Sequence, residues 1–588
     1  MPKPCLAGLV LAALLCATPA RANDDVAGTM LQGWYWDSPP GIAWWNKLTA
    51  LMPKLRRWGI TGLWIPPACK AAGGGYSSGY DIYDFYDLGS KDQRGTVPTK
   101  WGYKRDLLKM IAVAHANGID VYADIVVNHR AGGEQGGYSY QNLVGSEPGA
   151  KGRFTMAPWD FHPRDWQGDW YMAVAGQPDI AQEVPYVRDQ LFRWIRWFDK
   201  QTGVDGYRID AVKHMPPNFI EGLLWQVQEG MGQERFAVGE YYDGNPNTLG
   251  WWVGAVRRRS SVFDFTFFFN LLSMAHGGGY YDMRGLRYRF PDERRSVTFC
   301  NNHDTFRRAN GLHLYQRANL AYAVILTFPG YPCVYWLDLF DDQGNARDWM
   351  LNLLWIRHFM AKGPMIERWA DEDLYVMERE GNLLAGFNDN TQSWRTEWVR
   401  TEFGPNVRLH DYALGVGDVW TNEHGYARIS VPPSGYVMYG PTHFQGRLPN
   451  SPARRTKQTW EAAADLDLRP AGEWWGEPIR FVSAKDEPIW VTVALKDPDA
   501  TAHVALFDAQ GRRLNHARGK GRVYFPYRNP PRDGWYQVRV GLERTGQNKR
   551  SDYSLEISYQ GPRDVDPGSA PNTGSFDLLP LQPSSVGP

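Results

Sequence analysis

The sequence predicts an α/β protein: a (β/α)8 TIM barrel with an inserted subdomain, followed by an antiparallel β domain and a C-terminal β-sandwich. Three observations predict it. About eight strand-like runs alternate with helical stretches between Met30 and Met360. Polar residues recur at the carboxyl ends of those runs: Asn128 and His129, Asp210, Glu240, His303 and Asp304. A parallel barrel gathers such ends on one face, where active sites are built. After Gly363 the pattern changes to short alternating runs separated by turn residues, the mark of antiparallel sheet. A doubly wound sheet is the rival, but no GxGxxG turn follows the first strand.

Taken in order, residues 1–22 read as an export signal. Lys3 supplies the positive start, Leu9 to Leu15 the apolar run, and Ala20-Arg21-Ala22 a small-x-small cleavage site. Export to the medium or the periplasm is expected. Residues 23–362 form the barrel. Its strands are expected within Met30–Asp37, from Gly62, at Ile119–Val127, at 203–210 and at Phe236–Glu240, then at Ser261–Phe265, Ser296–Cys300 and Cys333–Trp336. Helices are expected at Trp44–Trp58, Lys104–Asn117, Tyr186–Gln201, Asn218–Glu229 and Asp348–Met360. The alternation breaks between about 130 and 185, a stretch too long for an ordinary βα loop, so a small inserted subdomain is expected. An antiparallel β domain spans 363–440, a polar linker 441–470, a β-sandwich 471–562 and a disordered tail 563–588.

Composition excludes several function classes. Lys plus Arg and Asp plus Glu both number 64, and no basic tract suggests a nucleic-acid partner. No later run is long and apolar enough to span a membrane. A monomer is expected. Past the signal only Cys69, Cys300 and Cys333 remain, so at most one disulfide can form, and buried free thiols are the default. Aromatic residues make up 14% of the chain, enough to suggest stacking on sugar rings as well as core packing.

The stretch GVDGYRIDAVKHM, from Gly203 to Met215, carries the densest chemistry. Alternation puts Arg208 and Asp210 on one face of a strand, and an arginine beside a carboxylate keeps it ionised, as a nucleophile requires. With DIVVNH (124–129), FAVGE (236–240) and FCNNHD (299–304), it resembles the four sequence regions of the α-amylase family of retaining glycosidases. GYDIYDFYDLG (79–89) and PDI (178–180) resemble two further family segments, and the barrel's wording is most similar to archaeal-type and plant-like members. The resemblance implies Asp210 as nucleophile, Glu240 as general acid/base and Asp304 as the carboxylate that grips the sugar at the point of cleavage. It implies Tyr80, His129, Arg208, Lys213, His214 and His303 as substrate contacts. Retaining hydrolysis needs one ionised and one protonated carboxyl about 5 Å apart; Arg208 would serve the first, and desolvation at the end of the apolar strand FAVG the second.

A bound Ca2+ is implied as well, held by Asn128, Asp179, the backbone carbonyl of His214 and a further carboxylate, Asp169 or else Asp165. An additional zinc is not expected, because Ala181 stands where a cysteine is needed and His162 alone cannot hold the metal. The implied activity is endo-hydrolysis of α-1,4-glucosidic bonds in starch-like glucans. A glucanotransferase or a maltooligosaccharide-forming enzyme is the alternative within the same machinery, and a non-catalytic glycan-binding protein the remote one. In the C-terminal sandwich Trp474, Trp475, Trp490, Tyr524, Tyr527 and Trp535 suggest either a starch-binding platform or ordinary core and edge packing.

Overall fold

The computed structural model describes residues 28–40, 44–132, 154–162, 177–233, 235–306, 311–413, 416–444, 455–462, 479–542 and 553–561. Its eight barrel strands are β1 (Met30–Gln32), β2 (Gly62–Ile65), β3 (Asp120–Ile125), β4 (Gly206–Ile209), β5 (Phe236–Gly239), β6 (Ser261–Phe263), β7 (Ser296–Phe299) and β8 (Tyr331–Tyr335). Neighbours pair in parallel, and β1 closes the barrel between β8 and β2, with Met30 opposite both Cys333 and Gly62. A helix follows each strand: α1 (Trp44–Arg57), α2 (Lys104–Ala116), α3 (Pro185–Thr202), α4 (Pro217–Val227), α5 (Pro246–Ala255), α6 (Phe265–His276), α7 (Ala318–Thr327) and α8 (Asp348–Phe359). Each strand is covered on one side by the barrel interior and on the other by helices. That is why GLWI and FAVG are buried at every position instead of alternating.

The structure corrects the sequence reading around β6. The strand expected to reach Phe265 stops at Phe263, because Asp264 turns to cap α6, its Oδ1 accepting from Phe267 N. The other oxygen of Asp264 accepts from Phe290 N and Ser296 Oγ, so one buried carboxylate ties three segments together. Helices α5, α6 and α7 lie where the sequence reading placed none.

A short antiparallel bridge, His129 to Asp179, stitches the described part of the insertion to the barrel, and a second, Phe161 to Ile180, lies within it. The buried guanidinium of Arg130 adds to this by donating to the carbonyls of Tyr83 and Phe154.

After the barrel come β9 (Met365–Ala370), β10 (Leu374–Arg379), β11 (Leu383–Asn388), β12 (Arg395–Arg400), β13 (Arg408–Asp411), β14 (Val419–Trp420), β15 (Tyr426–Val431) and β16 (Gly435–Pro441). They form a six-stranded sheet, β9-β10-β11-β16-β13-β14, faced by the ribbon β12–β15. Between the two layers lies a core that includes Leu374, Val376, Leu384 and Val437 from the sheet with Val399 and Ile429 from the ribbon. The C-terminal unit is a pair of four-stranded antiparallel sheets between Arg455 and Gln560, so the span 441–470 read as a linker contains a sandwich strand, Arg455–Ala462, paired with Tyr553–Gln560. It packs on the outside of the barrel against α2: Ala112 joins the sandwich core, and Lys109 Nζ lies 4.9 Å from the centre of the Trp535 ring. Trp535 is therefore buried at this junction and forms no sugar platform, while Trp474 and Trp475 lie outside the described residues. So do residues 1–22, read from the sequence as an export signal, and residues 563–588. Cys69, Cys300 and Cys333 are buried free thiols, and no helix among the described residues is long and apolar enough to cross a membrane.

Gly239, the residue before Glu240, has no room for a side chain: a Cβ there would overlap the buried Trp252 ring. Gly239→Ala is expected to destabilise the protein by about 1–3 kcal/mol, an overpacking cost, read as a lowered melting temperature.

Candidate active site

The carboxyl ends of β3, β4, β5 and β7 deliver the charged residues to one mouth of the barrel. Register places Asp124 of β3 directly opposite Arg208 of β4, and Arg208 opposite Val238 of β5. Arg208 is buried and binds three carboxylates: Nη1 lies 2.9 Å from Asp124 Oδ1 and 2.7 Å from Asp210 Oδ1, and Nη2 lies 2.8 Å from Glu240 Oε2. The sequence reading paired Arg208 with Asp210 alone. The structure shows a shared guanidinium, with Asp124 as the partner that reading missed. Its signal was present in DIVVNH, where the period of two sends Asp124 to the barrel interior.

Asp124 also accepts from Tyr80 Oη at 2.6 Å and from Trp64 Nε1 at 3.0 Å. Burial raises its pKa well into the neutral range; Arg208 opposes this and Asp210 adds to it. Burial and Asp124 hold the Tyr80 phenol far above its ordinary range, so it stays a donor. Burial works against the charge on Arg208, but Asp124 and Glu240 outweigh it and keep the guanidinium protonated. Burial also pushes the Glu240 carboxyl up to about 8, against the pull of Arg208 and with the help of Asp210 and Asp304.

Backbone geometry sets the remaining positions. Ala211 takes a left-handed conformation, φ 49°, which turns the chain sharply after Asp210 and points its N–H at Glu240 Oε2, 3.1 Å away. The short 3-10 turn Val212–His214 follows, and Lys213 Nζ donates to the Tyr242 carbonyl at 3.0 Å. Burial, with the neighbouring Lys213 charge, lowers the His214 pKa. Past β7, Asn301 is tied to Leu314 and Asp338, and Asn302 Oδ1 accepts from the N–H groups of Asp304 and Thr305. That turn presents Asp304 with its side chain half exposed, 3.2 Å from His303 Nε2.

The wall of the mouth is aromatic. Tyr80 stacks on His303, rings 5.4 Å apart and 16° from parallel, and Trp34 and Trp36 pack against both. Gln32 Nε2 lies 3.1 Å from His303 Nδ1, and the Tyr80 carbonyl 2.8 Å from His129 Nε2. Trp34, Trp36 and Gln32 come from β1 and the turn after it, which the sequence reading treated as a plain buried strand. The aromatic run WYW was the available signal.

Of the residues implied as calcium ligands, Asn128, Asp179 and His214 come together. The Asn128 side-chain oxygen faces two other acceptors, Asp179 Oδ1 at 3.3 Å and the His214 carbonyl at 3.1 Å. Turning the amide over would let its nitrogen donate to both. An amide, a carboxylate and a backbone carbonyl are among the donors calcium takes. The residues present therefore fit a calcium ion. Asp169 and Asp165 lie outside the described residues. Asp179 Oδ2 makes a hydrogen-bond contact with His162 Nδ1, so His162 is engaged by carboxylate, with Glu183 on its other nitrogen at 2.8 Å.

A barrel with buried paired carboxyls and an aromatic wall at its carboxyl face suits glycoside hydrolysis, and the family match makes the chain a glycoside hydrolase. Residues 44–394 match the family profile described as Alpha amylase, catalytic domain, and 383–440 match Alpha-amylase C-terminal. The chain belongs to the α-amylase family. It is 32% identical over 441 residues to the α-amylase of Geobacillus stearothermophilus, covering 64% of this chain and 79% of that protein. It is 30% identical to the glucan 1,4-alpha-maltohexaosidase of Bacillus sp. (strain 707), covering 61% of this chain and 80% of that one. Among solved structures, the α-amylase of Geobacillus thermoleovorans complexed with acarbose superposes with a TM-score of 0.55 at 21% identity, over 71% of this chain and 98% of that one, which attests the shared fold.

Asp124→Leu would leave the Tyr80 hydroxyl, the Trp64 indole and Arg208 without a shared buried acceptor. Each lost acceptor costs about 1–3 kcal/mol, so a loss of ~3 kcal/mol or more is expected in denaturant unfolding, with Asp124→Asn retaining part of it.

Proposed function

We propose that this glycoside hydrolase is an exported α-amylase that cleaves internal α-1,4-glucosidic bonds of starch-like glucans with retention of configuration. The observation that carries the reading is the single guanidinium of Arg208 bound to both Asp210 and Glu240. It holds the two carboxyls close together, while burial keeps Glu240 protonated. An ionised and a protonated carboxyl side by side are what retaining hydrolysis requires.

In this mechanism Asp210 Oδ attacks the anomeric carbon while Glu240 gives its proton to the departing glycosidic oxygen. The sugar is left esterified to Asp210. Glu240, now a carboxylate, takes a proton from water, and the hydroxide attacks the same carbon, releasing the sugar in its original anomeric form and restoring both carboxyls. Asp304 grips the hydroxyls of the reacting sugar, with His129 and His303 beside it and Tyr80 as the floor. Lys213 and His214 meet the sugar on the leaving side. Asn128, Asp179 and the His214 carbonyl would hold calcium, which when bound neutralises the converging oxygens and clamps the insertion to the barrel.

Asp210→Asn is expected to remove nearly all turnover, by a factor of about 10⁴ or more, while glucan binding persists. Because Glu240 acts as an acid below its pKa and loses the proton above it, kcat/KM should fall as pH rises through about 8. Product analysis over time on soluble starch tests the reaction itself. Rapid viscosity loss with α-anomeric oligosaccharides, absent in Glu240→Gln, is the expected result; redistribution of chain lengths with little new reducing end would make the enzyme a transferase instead. Removing calcium with EDTA should lower the melting temperature, since the ion binds the folded state alone.

A further inference from the structure

Behind the turn that carries Asp304 lies a buried carboxylate that the mechanism above does not use. Asp338 belongs to the single helical turn Trp336–Leu339 after β8. Its Oδ2 accepts from Asn301 Nδ2 at 2.9 Å and from Tyr322 Oη of α7 at 2.6 Å. Asn301 is buried too, and it commits the rest of its amide to Leu314. Nδ2 also donates to the Leu314 carbonyl and Oδ1 accepts from Leu314 N, each at 3.0 Å. The two bonds clip Leu314 to the base of the turn. Within the turn, Asn302 Oδ1 accepts from Asp304 N and Thr305 N, Asn302 N donates to Thr305 Oγ1, and Phe306 N donates to the Asn302 carbonyl. The turn is thus a block braced from inside. Its placement against the barrel is set by β7 and by the clip at Asn301.

We propose that Asp338 is a positioning residue for Asp304, acting through the side-chain amide of Asn301. The inference rests on the reading, given above, of Asp304 as the carboxylate that grips the reacting sugar. An ionised carboxylate only accepts, so it admits only the NH2 end of Asn301 and leaves Oδ1 turned to Leu314 N. Its charge also makes this the strongest of the amide's three bonds. Asn301 is thereby held in one orientation, and the turn bearing Asp304 is held with it. Tyr322 fixes the carboxylate from the other side, and its Oη accepts from Tyr335 N at 3.3 Å, so α7 and β8 share the anchor. The titratable groups around Asp338 are Tyr322, Tyr335 and Cys300 at the end of β7, with the Arg347 charge ahead of α8. Burial holds both phenols and the thiol far above their ordinary ranges, so Asp338 alone among them titrates in acid. Burial pushes its carboxyl up to about 6, against the pull of Tyr322, Asn301 and Arg347. As pH falls through that value the carboxyl gains a proton, loses its charge assistance and can itself donate. The hold on Asn301 then weakens.

The test compares the full chain with its Asp338→Asn and Tyr322→Phe variants. Asparagine keeps the shape of the side chain and is neutral at every pH. In Asp338→Asn, kcat on maltoheptaose should fall by about tenfold with KM changed less than about twofold, because Asp304 acts chiefly in the transition state. The unmutated chain should lose kcat as pH falls through about 6, a limb that Asp338→Asn lacks. Tyr322→Phe leaves Asn301 its partner but removes a donor that favours the ionised carboxyl, so its limb should move to higher pH. Amide exchange at Leu314 reads the anchor independently of activity, and it should quicken in Asp338→Asn. A limb that neither variant moves overturns the proposal. So does lost kcat with Leu314 exchange unchanged, which leaves Asp304 its part in the reaction but not by this anchor. Quickened exchange with undiminished kcat overturns the reading of Asp304 itself, and this inference falls with it. Should Asp338→Asn fail to fold, the direction in which Tyr322→Phe moves the limb decides alone.

Discussion

The structure depends on one buried cation serving three carboxylates. Arg208 sits inside the barrel between the rings of Trp64 and Tyr80, and Asp124, Asp210 and Glu240 all end on its terminal nitrogens. One positive charge cannot balance three buried negative ones. Burial raises the pKa of both Asp124 and Glu240, with Asp210 adding to the shift and Arg208 opposing it. A carboxyl held protonated by burial, Glu240, thus shares one guanidinium with Asp210. The parallel pairing of β3, β4 and β5 makes this sharing possible, since residues in register on adjacent strands are held at fixed spacing.

The surrounding elements keep that network dry and oriented. Tyr80 donates to Asp124 and stacks on His303, so the aromatic wall and the charge network are mechanically joined. The insertion is joined at the next position along β3's exit, where Asn128 meets Asp179 and the His214 carbonyl. Because His214 ends the turn that follows Asp210, this contact also braces that turn.

Most of the barrel was legible in the sequence because its strands are covered on both sides and read as continuous apolar runs with polar ends. The position of Glu240 follows from FAVG, and that of Asp210 from GYRI. Less legible were β6 and the helices beyond it. Asp264 looks like a strand residue by its neighbours, yet its side chain caps a helix, and a cap is decided by which backbone N–H groups come within reach. Asp124 was visible as part of a motif, but its task was hidden, since nothing local shows that Arg208 will reach across from another strand. Trp34 is core, as the strand reading had it, whereas Trp36 is only partly buried.

By itself the sequence determined the order of strands and helices, the change from parallel to antiparallel architecture, and the residue types delivered to the barrel's mouth. These are properties of local periodicity and of side-chain chemistry, which short stretches of chain carry within themselves. Tertiary structure decided which charges share which partner, which aromatic rings meet water, and where the C-terminal sandwich docks. Trp535 is buried against α2 while Trp398 and Trp420 are left exposed, although all three are tryptophans on β-strands. The difference lies in what packs against each face, and that is set by contacts between segments far apart in the chain.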